Sequence, residues 1–322
     1  MSKSIRKLFL LVCWVLIGIL LVGIIACVPD QTKSDKKSIV VTYSILGAIV
    51  KDLVGDQADV KISIPNGLNP HEWEPSPRDI EAIYNADLVI QNGLGLEDGL
   101  QKTLDQAQAR GVKFFTVADH INVRHIGPGE GIPNGDPDQA IGAADPHLWL
   151  DPLTVKSFVP NLVLCLQTIL ELDVAEQAQD LQDRLDSLDQ QIRDKVTTLS
   201  TSQRKLVTGH ESLGYFAQRY EFKLVGAVIP SLSDQASVSA ANIAALKQSM
   251  LDNQVQTIFT ELGTSNAVVN NISAETGAKV VRLNTHILRG STNHAGCAGN
   301  SNDGSYFTFM HELADTIVSA LK

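Results

Sequence analysis

The chain has 322 residues, of which 44% are hydrophobic and 19% are charged, and its formal net charge is −10. This length and apolar content are sufficient for one large or two medium-sized domains with hydrophobic cores. The acidic balance argues against nucleic acid or an anionic membrane surface as the main partner, because both are themselves negatively charged.

The first residues have the pattern of an export signal. A basic stretch, MSKSIRK, precedes an uninterrupted apolar run that ends just before Cys27. Such a run is removed from a secreted protein, although it is also about long enough to span a bilayer as an uncleaved anchor. The sequence IIAC, followed by polar residues, resembles the bacterial lipoprotein box, in which the cysteine is lipidated. We therefore predict a lipoprotein signal peptide over 1–27 with lipidation at Cys27, and a flexible tether over 28–38.

These features predict that the protein is exported. It is expected to be lipid-anchored on the outer face of the cell membrane or in the periplasm. Cys165 and Cys297 then remain in the mature body and could form one disulfide. Cys165, however, lies in an apolar helical run, where it is typical of a small core residue, so the pairing is left open.

Short β-branched runs alternate with helical patterns over 39–153. The strand-like runs are SIVVTYS, VKISIP, DLVIQNG and VKFFTVA. One of the intervening helices begins with a clear signal, since Ser76 is a candidate N-cap, Pro77 stands at the first helical position and Asp79 lies three residues after the cap. Strands separated by helices predict an N-terminal lobe with a parallel sheet covered on both faces.

The same alternation returns over 204–322, which predicts a second α/β lobe. The joining segment, 154–203, is helical, and from Ala175 to about Ser200 it contains neither glycine nor proline. Its apolar residues recur at steps of three and four, which predicts a helix of about seven turns. These residues are Leu181, Leu185, Leu188, Ile192, Val196 and Leu199.

A dimeric coiled coil is one interpretation of this helix, but about three heptads are marginal for it. A rigid strut packed across both lobes is favoured, in a monomer. The predicted fold is therefore α/β, with two (β/α)4-type lobes that have parallel sheets and are joined by one long rigid helix.

Ligands of open α/β sheets bind in the crevice beyond the carboxyl ends of the strands. His71 follows the second predicted strand, His147 occurs in ADPHLWLDP after the fourth, and His210 ends the strand KLVTGH. Asp303, in NSNDGSYF, is the acidic candidate just before the final helix. The two-lobe arrangement would direct all four side chains into the interlobe cleft.

Three imidazoles and one carboxylate suit a divalent transition metal. Zinc accepts histidine nitrogen and aspartate oxygen at about 2.0–2.2 Å in tetrahedral geometry. Manganese takes similar ligands but favours more oxygen and a higher coordination number. Trp73 and Trp149, each two residues after a candidate histidine, are predicted to pack beside the site.

Four motifs in order resemble those of the metal-ion solute-binding proteins of bacterial ABC transporters, the zinc/manganese cluster often called family 9 (cluster A-I). They are NPHEWEPSPRDI, DPHLWLDP, TGHESLGYFAQRY and NDGSYFTFMHELADTI. The resemblance implies metal ligation by His71, His147, His210 and Asp303. It also implies capture of Zn²⁺, or alternatively Mn²⁺, as the transported ion, with an ABC permease and its ATPase as partners.

The third motif decides between two adjacent residues. In the family, the ligand lies five residues before the tyrosine of GYF, so Tyr215 selects His210 over Glu211. Family members with histidine at this position tend to handle zinc and those with glutamate manganese, which agrees with the preference of manganese for oxygen. Zinc is therefore favoured. The loop between the first two motifs departs from the His-rich loop of many zinc-binding members, because it holds only His120 and His125.

A zinc-dependent hydrolase is the main alternative, with Glu72, Glu74 or Glu211 as general base. HEWEP lacks the second histidine of the H-E-x-x-H motif, so the chain is predicted not to be an enzyme. A lipid-anchored adhesin with a structural metal is a further alternative.

Four other residues are left with weak signals. His294 and Cys297 have an H-x-x-C spacing without a matching second pair, which favours a flexible loop over a second metal site. His286 follows a strand and could line the cleft, whereas His311 is predicted to be a surface or packing residue of the final helix.

Overall fold

The near-continuous apolar runs in the first half of the chain form a parallel sheet. Strands of such a sheet are covered on both faces and bury every side chain, which explains why these runs are apolar throughout. The sheet has the strand order β2-β1-β3-β4, and all three pairings are parallel. The strands are β1 (Lys37–Tyr43), β2 (Ala58–Ile64), β3 (Leu88–Gln91) and β4 (Phe114–Thr116). Their carboxyl ends therefore meet at one edge, which the loops to the following helices extend.

The computed structural model describes residues 36–127, 130, 141–288 and 304–322. Among the residues singled out above, Cys27, Cys297 and Asp303 lie outside these ranges. His294, the signal peptide and all but the last residues of the predicted tether lie outside them too.

Three helices cover this first sheet. They are α1 (Ser44–Val54), α2 (Pro77–Tyr84) and α3 (Asp98–Ala109). The start of α2 is as predicted: Ser76 and Asp79 form a reciprocal capping box, and Pro77 occupies the first turn. The capping box satisfies backbone donors at the point where the loop carrying His71 becomes helical.

Two helices follow, α4 (Pro152–Leu170) and α5 (Ala175–Val196). The predicted apolar stripe of α5 is buried along its whole length, although the helix ends at Val196, short of Ser200. α5 packs on α4, on α1 of the first half and on the terminal helix α9 (Tyr306–Leu321). It is thus a strut in contact with both halves. Within the described residues, α4 is the one helix long and apolar enough to cross a membrane, and its buried face belongs to the core.

The second half repeats the alternation with four strands and three helices before α9. The strands are β5 (Lys205–His210), β6 (Lys223–Ile229), β7 (Thr257–Thr260) and β8 (Lys279–Arg282). β5 pairs with β6 and β7 with β8, both in parallel, and β5 lies beside β7. The helices are α6 (Gly214–Tyr220), α7 (Ala240–Asp252) and α8 (Asn266–Thr276).

The predicted α/β architecture with parallel sheets and one long connecting helix is confirmed. Residues Lys36–Lys322 form one compact unit, so the lobe boundaries at 153 and 203 stay predictions. Cys165 is half-buried on α4, and its pairing with Cys297 is untested.

Leu185 lies in the middle of α5 and is fully buried. We expect Leu185→Ala to lower the free energy of unfolding by about 2–5 kcal/mol, because the truncated side chain leaves a cavity between the strut and its neighbours. Urea denaturation followed by circular dichroism measures the loss. Ser187→Ala, on the exposed face of the same helix, is the control and should change stability by less than about 0.5 kcal/mol. Equal effects of the two substitutions would contradict the buried-strut assignment.

Candidate metal centre

Three histidines from separate loops meet at the shared edge of the strands. His71 lies in the turn between β2 and α2, His147 directly precedes the 3-10 turn Leu148–Leu150, and His210 is the last residue of β5. All three are buried, with exposed fractions of 6%, 0% and 0%. One ring nitrogen from each lies within 4.8 Å of the other two. The three histidines that were predicted from their positions at or beyond strand ends are therefore close together in the structure. Asp303 lies outside the described residues.

His147 is oriented by a buried carboxylate. Asp145 Oδ1 accepts a hydrogen bond from the His147 backbone N–H at 3.0 Å and lies 2.9 Å from Nδ1 of its ring. Because a carboxylate only accepts, Nδ1 carries the proton and Nε2 presents its lone pair to the cluster. Burial lowers the pKa of His147 further than Asp145 raises it. Arg124 Nη1 donates to the other oxygen of Asp145 at 3.1 Å, so the carboxylate is itself paired.

His210 is held by a second buried carboxylate, Glu261, which directly follows β7. Its Nδ1 lies 2.9 Å from Glu261 Oε2, and Ser212 Oγ donates to the same oxygen at 2.8 Å. Burial lowers the pKa of His210, but the charge and close contact of Glu261, together with the charges of Asp234 and Asp145, outweigh burial and raise the pKa overall. Burial raises the pKa of Glu261, but the contacts with His210 and Ser212 and the charge of His286 together outweigh burial and lower the pKa.

The rings of His147 and His210 face each other through their Nε2 atoms. His210 Nε2 lies 3.1 Å from His147 Nε2, a contact that needs one hydrogen. Since Asp145 fixes the proton of His147 on Nδ1, the shared hydrogen belongs to His210 Nε2. His210 Nδ1 also faces Glu261 Oε2, and the raised pKa of His210 favours the protonated ring.

His71 contributes the least constrained ring. Neither of its ring nitrogens has a hydrogen-bond partner among the described residues, and both are buried. Its backbone N–H donates to Asn69 Oδ1 at 3.1 Å, which fixes the turn. Burial, followed by His147 and His210, lowers the pKa of His71 well below its ordinary value. A neutral, buried and unpartnered imidazole is the state in which histidine binds a metal ion.

His286 approaches the cluster without belonging to it. Its ring stacks on that of His210 at a centroid distance of 6.2 Å and meets Trp149 at 5.7 Å. Burial and the neighbouring His210 lower its pKa to about 3. Trp149 is fully buried against this group, as the sequence predicted for it.

The glutamates considered as general bases lie elsewhere. Glu72 and Glu74 are exposed, and Glu72 Oε1 accepts from Gln235 Nε2 at 2.6 Å. Glu211 lines a small pocket with Arg124, and burial raises its pKa to about 7. The side chain of His210, not that of Glu211, joins the cluster, as the position of Tyr215 indicated.

The sequence analysis missed the carboxylates that hold the rings. Asp145 stands two residues before His147 in ADPHLWLDP, and Glu261 comes directly after a strand, so both carry the signals used for the histidines. Which carboxylate faces which ring depends, however, on the strands that become neighbours in the folded chain. Ser212 and Asn69 had no comparable signal.

The fold and the three-histidine cluster are those of a metal-binding α/β protein. Over residues 39–320 the chain matches the family described as zinc-uptake complex component A, periplasmic, and it belongs to this family. This membership confirms the resemblance drawn from the four motifs. It also confirms that the chain is an extracytoplasmic binding component of a metal-uptake complex and not an enzyme.

Some relatives are named for zinc and others for manganese. The high-affinity zinc uptake system protein ZnuA of Bacillus subtilis is 30% identical over 266 residues, covering 79% of this chain and 80% of that protein. The manganese-binding lipoprotein MntA of Halalkalibacterium halodurans is 28% identical and covers 88% of both chains. Among solved structures, the periplasmic zinc-binding protein TroA of Treponema pallidum superimposes with a TM-score of 0.72 at 24% identity, covering 89% of this chain and 99% of that one. That likeness supports the fold.

The Asp145 contact predicts the tautomer of His147. In the metal-free protein we expect Nδ1 of His147 to be protonated and Nε2 to be unprotonated, which long-range ¹⁵N–¹H NMR of the imidazole detects. Asp145→Asn should shift population to the other tautomer, because an amide can donate to Nδ1. An Nε2-protonated His147 in the unsubstituted chain would contradict the assignment.

Proposed function

We propose that the chain captures a divalent transition metal ion, with zinc favoured, and delivers it to an ABC permease powered by a partner ATPase. His71, His147 and His210 would be protein ligands, and Asp303 the fourth. The observation that supports this most directly is the cluster of three buried imidazole nitrogens within 4.8 Å. Two of these rings are oriented by carboxylates, as in protein metal sites generally.

Zinc is favoured over manganese by the donor set. Three imidazoles and one carboxylate match the tetrahedral nitrogen-rich environment of zinc, whereas manganese favours additional oxygen donors. Glu211 adjoins His210 in the sequence and could supply such an oxygen, but its side chain lines the pocket beside Arg124. Manganese remains the alternative within the same family, because some relatives are named for zinc and others for manganese.

Capture would exchange a proton for the metal ion. The hydrogen between His210 and His147 stands where the ligand nitrogens converge, so a metal ion must displace it. His71 and His147 are neutral through their lowered pKa values and offer lone pairs without prior deprotonation. Glu261 then stabilises the neutral, metal-bound His210 by accepting from Nδ1.

Release would require the two halves to separate at the loops that carry the ligands. Asn69 Nδ2 donates to Asp234 Oδ2 at 2.5 Å, and Gln235 donates to Glu72, so the His71 turn is tied to the loop after β6. Because α5 packs on both halves, we expect these ties to break through small local shifts rather than a wide hinge motion.

We further propose that Cys27 is the lipid attachment site and that 28–38 tethers a monomeric binding body to the membrane. The support is the lipoprotein-box pattern in this sequence. Relatives named as lipoproteins, such as the metal ABC transporter lipoprotein SloC of Streptococcus mutans, agree with it. A tether of this kind would keep the binding body near its permease.

Removing one ligand should abolish tight capture. In the full chain, solubilised in mild detergent, we expect His71→Ala and His210→Ala each to weaken Zn²⁺ binding by more than about 100-fold, the upper end of the loss seen when only a supporting residue is removed. Competition with a fluorescent zinc chelator measures the affinity, and elemental analysis the stoichiometry. His125→Ala, which removes an exposed histidine, is the matched control. Unchanged binding in both ligand variants would refute the site.

Zinc capture should release a proton from His210. Its raised pKa means that, below this pKa, binding displaces about one proton per ion, and at higher pH the release disappears. Isothermal titration calorimetry in buffers of different ionisation enthalpy counts the protons. Glu261→Gln removes a charge that raises the pKa of His210, so proton release from this variant should disappear at a lower pH than in the unsubstituted chain. Identical proton counts at all pH values would contradict this exchange.

A further inference from the structure

Tyr215 belongs to the third sequence motif, but the proposed function gives its side chain no role. It lies in the first turn of α6, five residues after His210, and it is buried. Its hydroxyl oxygen accepts a hydrogen bond from the backbone N–H of Arg124 at 2.9 Å. Arg124 follows β4 in the first half of the chain. The bond therefore joins the segment after His210 to a loop that is 91 residues away in the sequence.

Arg124 in turn holds Asp145 through two contacts. Its carbonyl oxygen accepts from the backbone N–H of Asp145 at 2.9 Å, and its Nη1 donates to Asp145 Oδ2 at 3.1 Å. The adjacent residues His125 and Ala144 form an antiparallel bridge, so the two chain segments run side by side up to Asp145. A displacement of Arg124 would therefore displace the carboxylate of Asp145 as well.

Asp145 passes this constraint to a ring of the three-histidine centre. One of its oxygens faces the guanidinium of Arg124, and the other lies 2.9 Å from His147 Nδ1. The contacts thus form an unbroken chain from the hydroxyl of Tyr215 through Arg124 and Asp145 to His147. Each of these four residues is at most 8% exposed. Hydrogen bonds in such a water-poor environment are stronger than exposed ones, and a buried donor that loses its acceptor is costly.

The helix that carries Tyr215 is itself held in place. Its start lies directly against the Asp145–Arg124 ion pair, since a Cβ atom added to Gly214 would come within 2.6 Å of Arg124 Cζ. Near its other end, Arg219 Nε donates to Asp189 Oδ1 of α5 at 2.7 Å, which fastens α6 to the strut. The hydroxyl of Tyr215 is therefore a fixed support for the loop that contains Arg124.

We propose that Tyr215 is a positioning residue for His147. Its hydroxyl holds Arg124 and Asp145 in the arrangement that keeps the proton of His147 on Nδ1 and directs Nε2 at the three-histidine centre. The inference rests on the proposed function. It gives the segment that supplies His210 a second task, because the helix after this ligand also supports the orientation of a ligand from the first half.

Tyr215→Phe tests this support, because it removes the hydroxyl and keeps the ring. In the metal-free full chain, in mild detergent, we expect long-range ¹⁵N–¹H NMR to show His147 in both tautomers instead of the Nδ1-protonated form alone. Competition with a fluorescent zinc chelator should show about tenfold weaker Zn²⁺ binding, the lower end of the loss for a residue that supports a metal site. Tyr84→Phe is the matched control. It also removes a tyrosine hydrogen bond, to Gln106 Oε1 at 2.7 Å on α3, and should change neither readout.

A double substitution separates a positioning role from general loss of packing. If Tyr215 acts through Asp145, the variant with both Tyr215→Phe and Asp145→Asn should bind Zn²⁺ no more weakly than Asp145→Asn alone. Additive losses in affinity would overturn the proposal, and so would an unchanged His147 tautomer in Tyr215→Phe. If Tyr215→Phe lowers the melting temperature, NMR below the transition still reports on the folded protein and decides. A wild-type chain that binds no Zn²⁺ would refute the proposed function instead, while the tautomer of His147 would still test the contact of Tyr215.

Discussion

The burial of three imidazoles in one small space depends on the carboxylates behind them. Rings removed from water lose their hydration, and each additional charge among them is costly. Asp145 Oδ1 and Glu261 Oε2 offset this cost, because each lies 2.9 Å from the Nδ1 atom of its histidine, and the two carboxylates also accept hydrogen bonds from Arg124 and from Ser212. These pairs fix which nitrogen of each ring faces the centre. One ring nitrogen from each histidine therefore lies within 4.8 Å of the other two.

The parallel sheets bring these groups together from distant parts of the chain. Each half directs the carboxyl ends of its strands to one edge, so residues after β2, β5, β7 and β8 become neighbours. The same arrangement explains why close packing is required around the ion pair between Asp145 and Arg124. A Cβ atom on Gly214 would lie 2.2 Å from Asp145 Oδ2 and 2.4 Å from Arg124 Nη1, so only glycine allows α6 to start so close to this pair.

The sequence allowed the histidines to be predicted because their signals are local. A histidine at the end of a β-branched run, or beside a proline in a loop that follows one, needs only the rule on strand ends. The α5 stripe was predictable for a similar reason, since its period is visible within one segment. The partners of the rings depend on which strands become neighbours, and β5 lies beside β7 only after folding. For this reason Glu261 was missed although it follows a strand. The contact of His286 Nδ1 with Thr285 Oγ1, at 2.8 Å, could not be inferred either, because it depends on side-chain orientation.

The carboxylates behind the rings also bear on the charge of a bound ion. Asp145 and Glu261 lie against His147 and His210, and Arg124 is shared between Asp145 and Glu130. Three carboxylates and one guanidinium leave an excess of negative charge among these groups, which would offset part of the charge of a divalent ion in a site that excludes water. This compensation does not require any of the three carboxylates to be a direct ligand. The imidazoles can therefore supply most of the donor atoms, and a nitrogen-rich donor set agrees with the proposed preference for zinc, since manganese favours more oxygen.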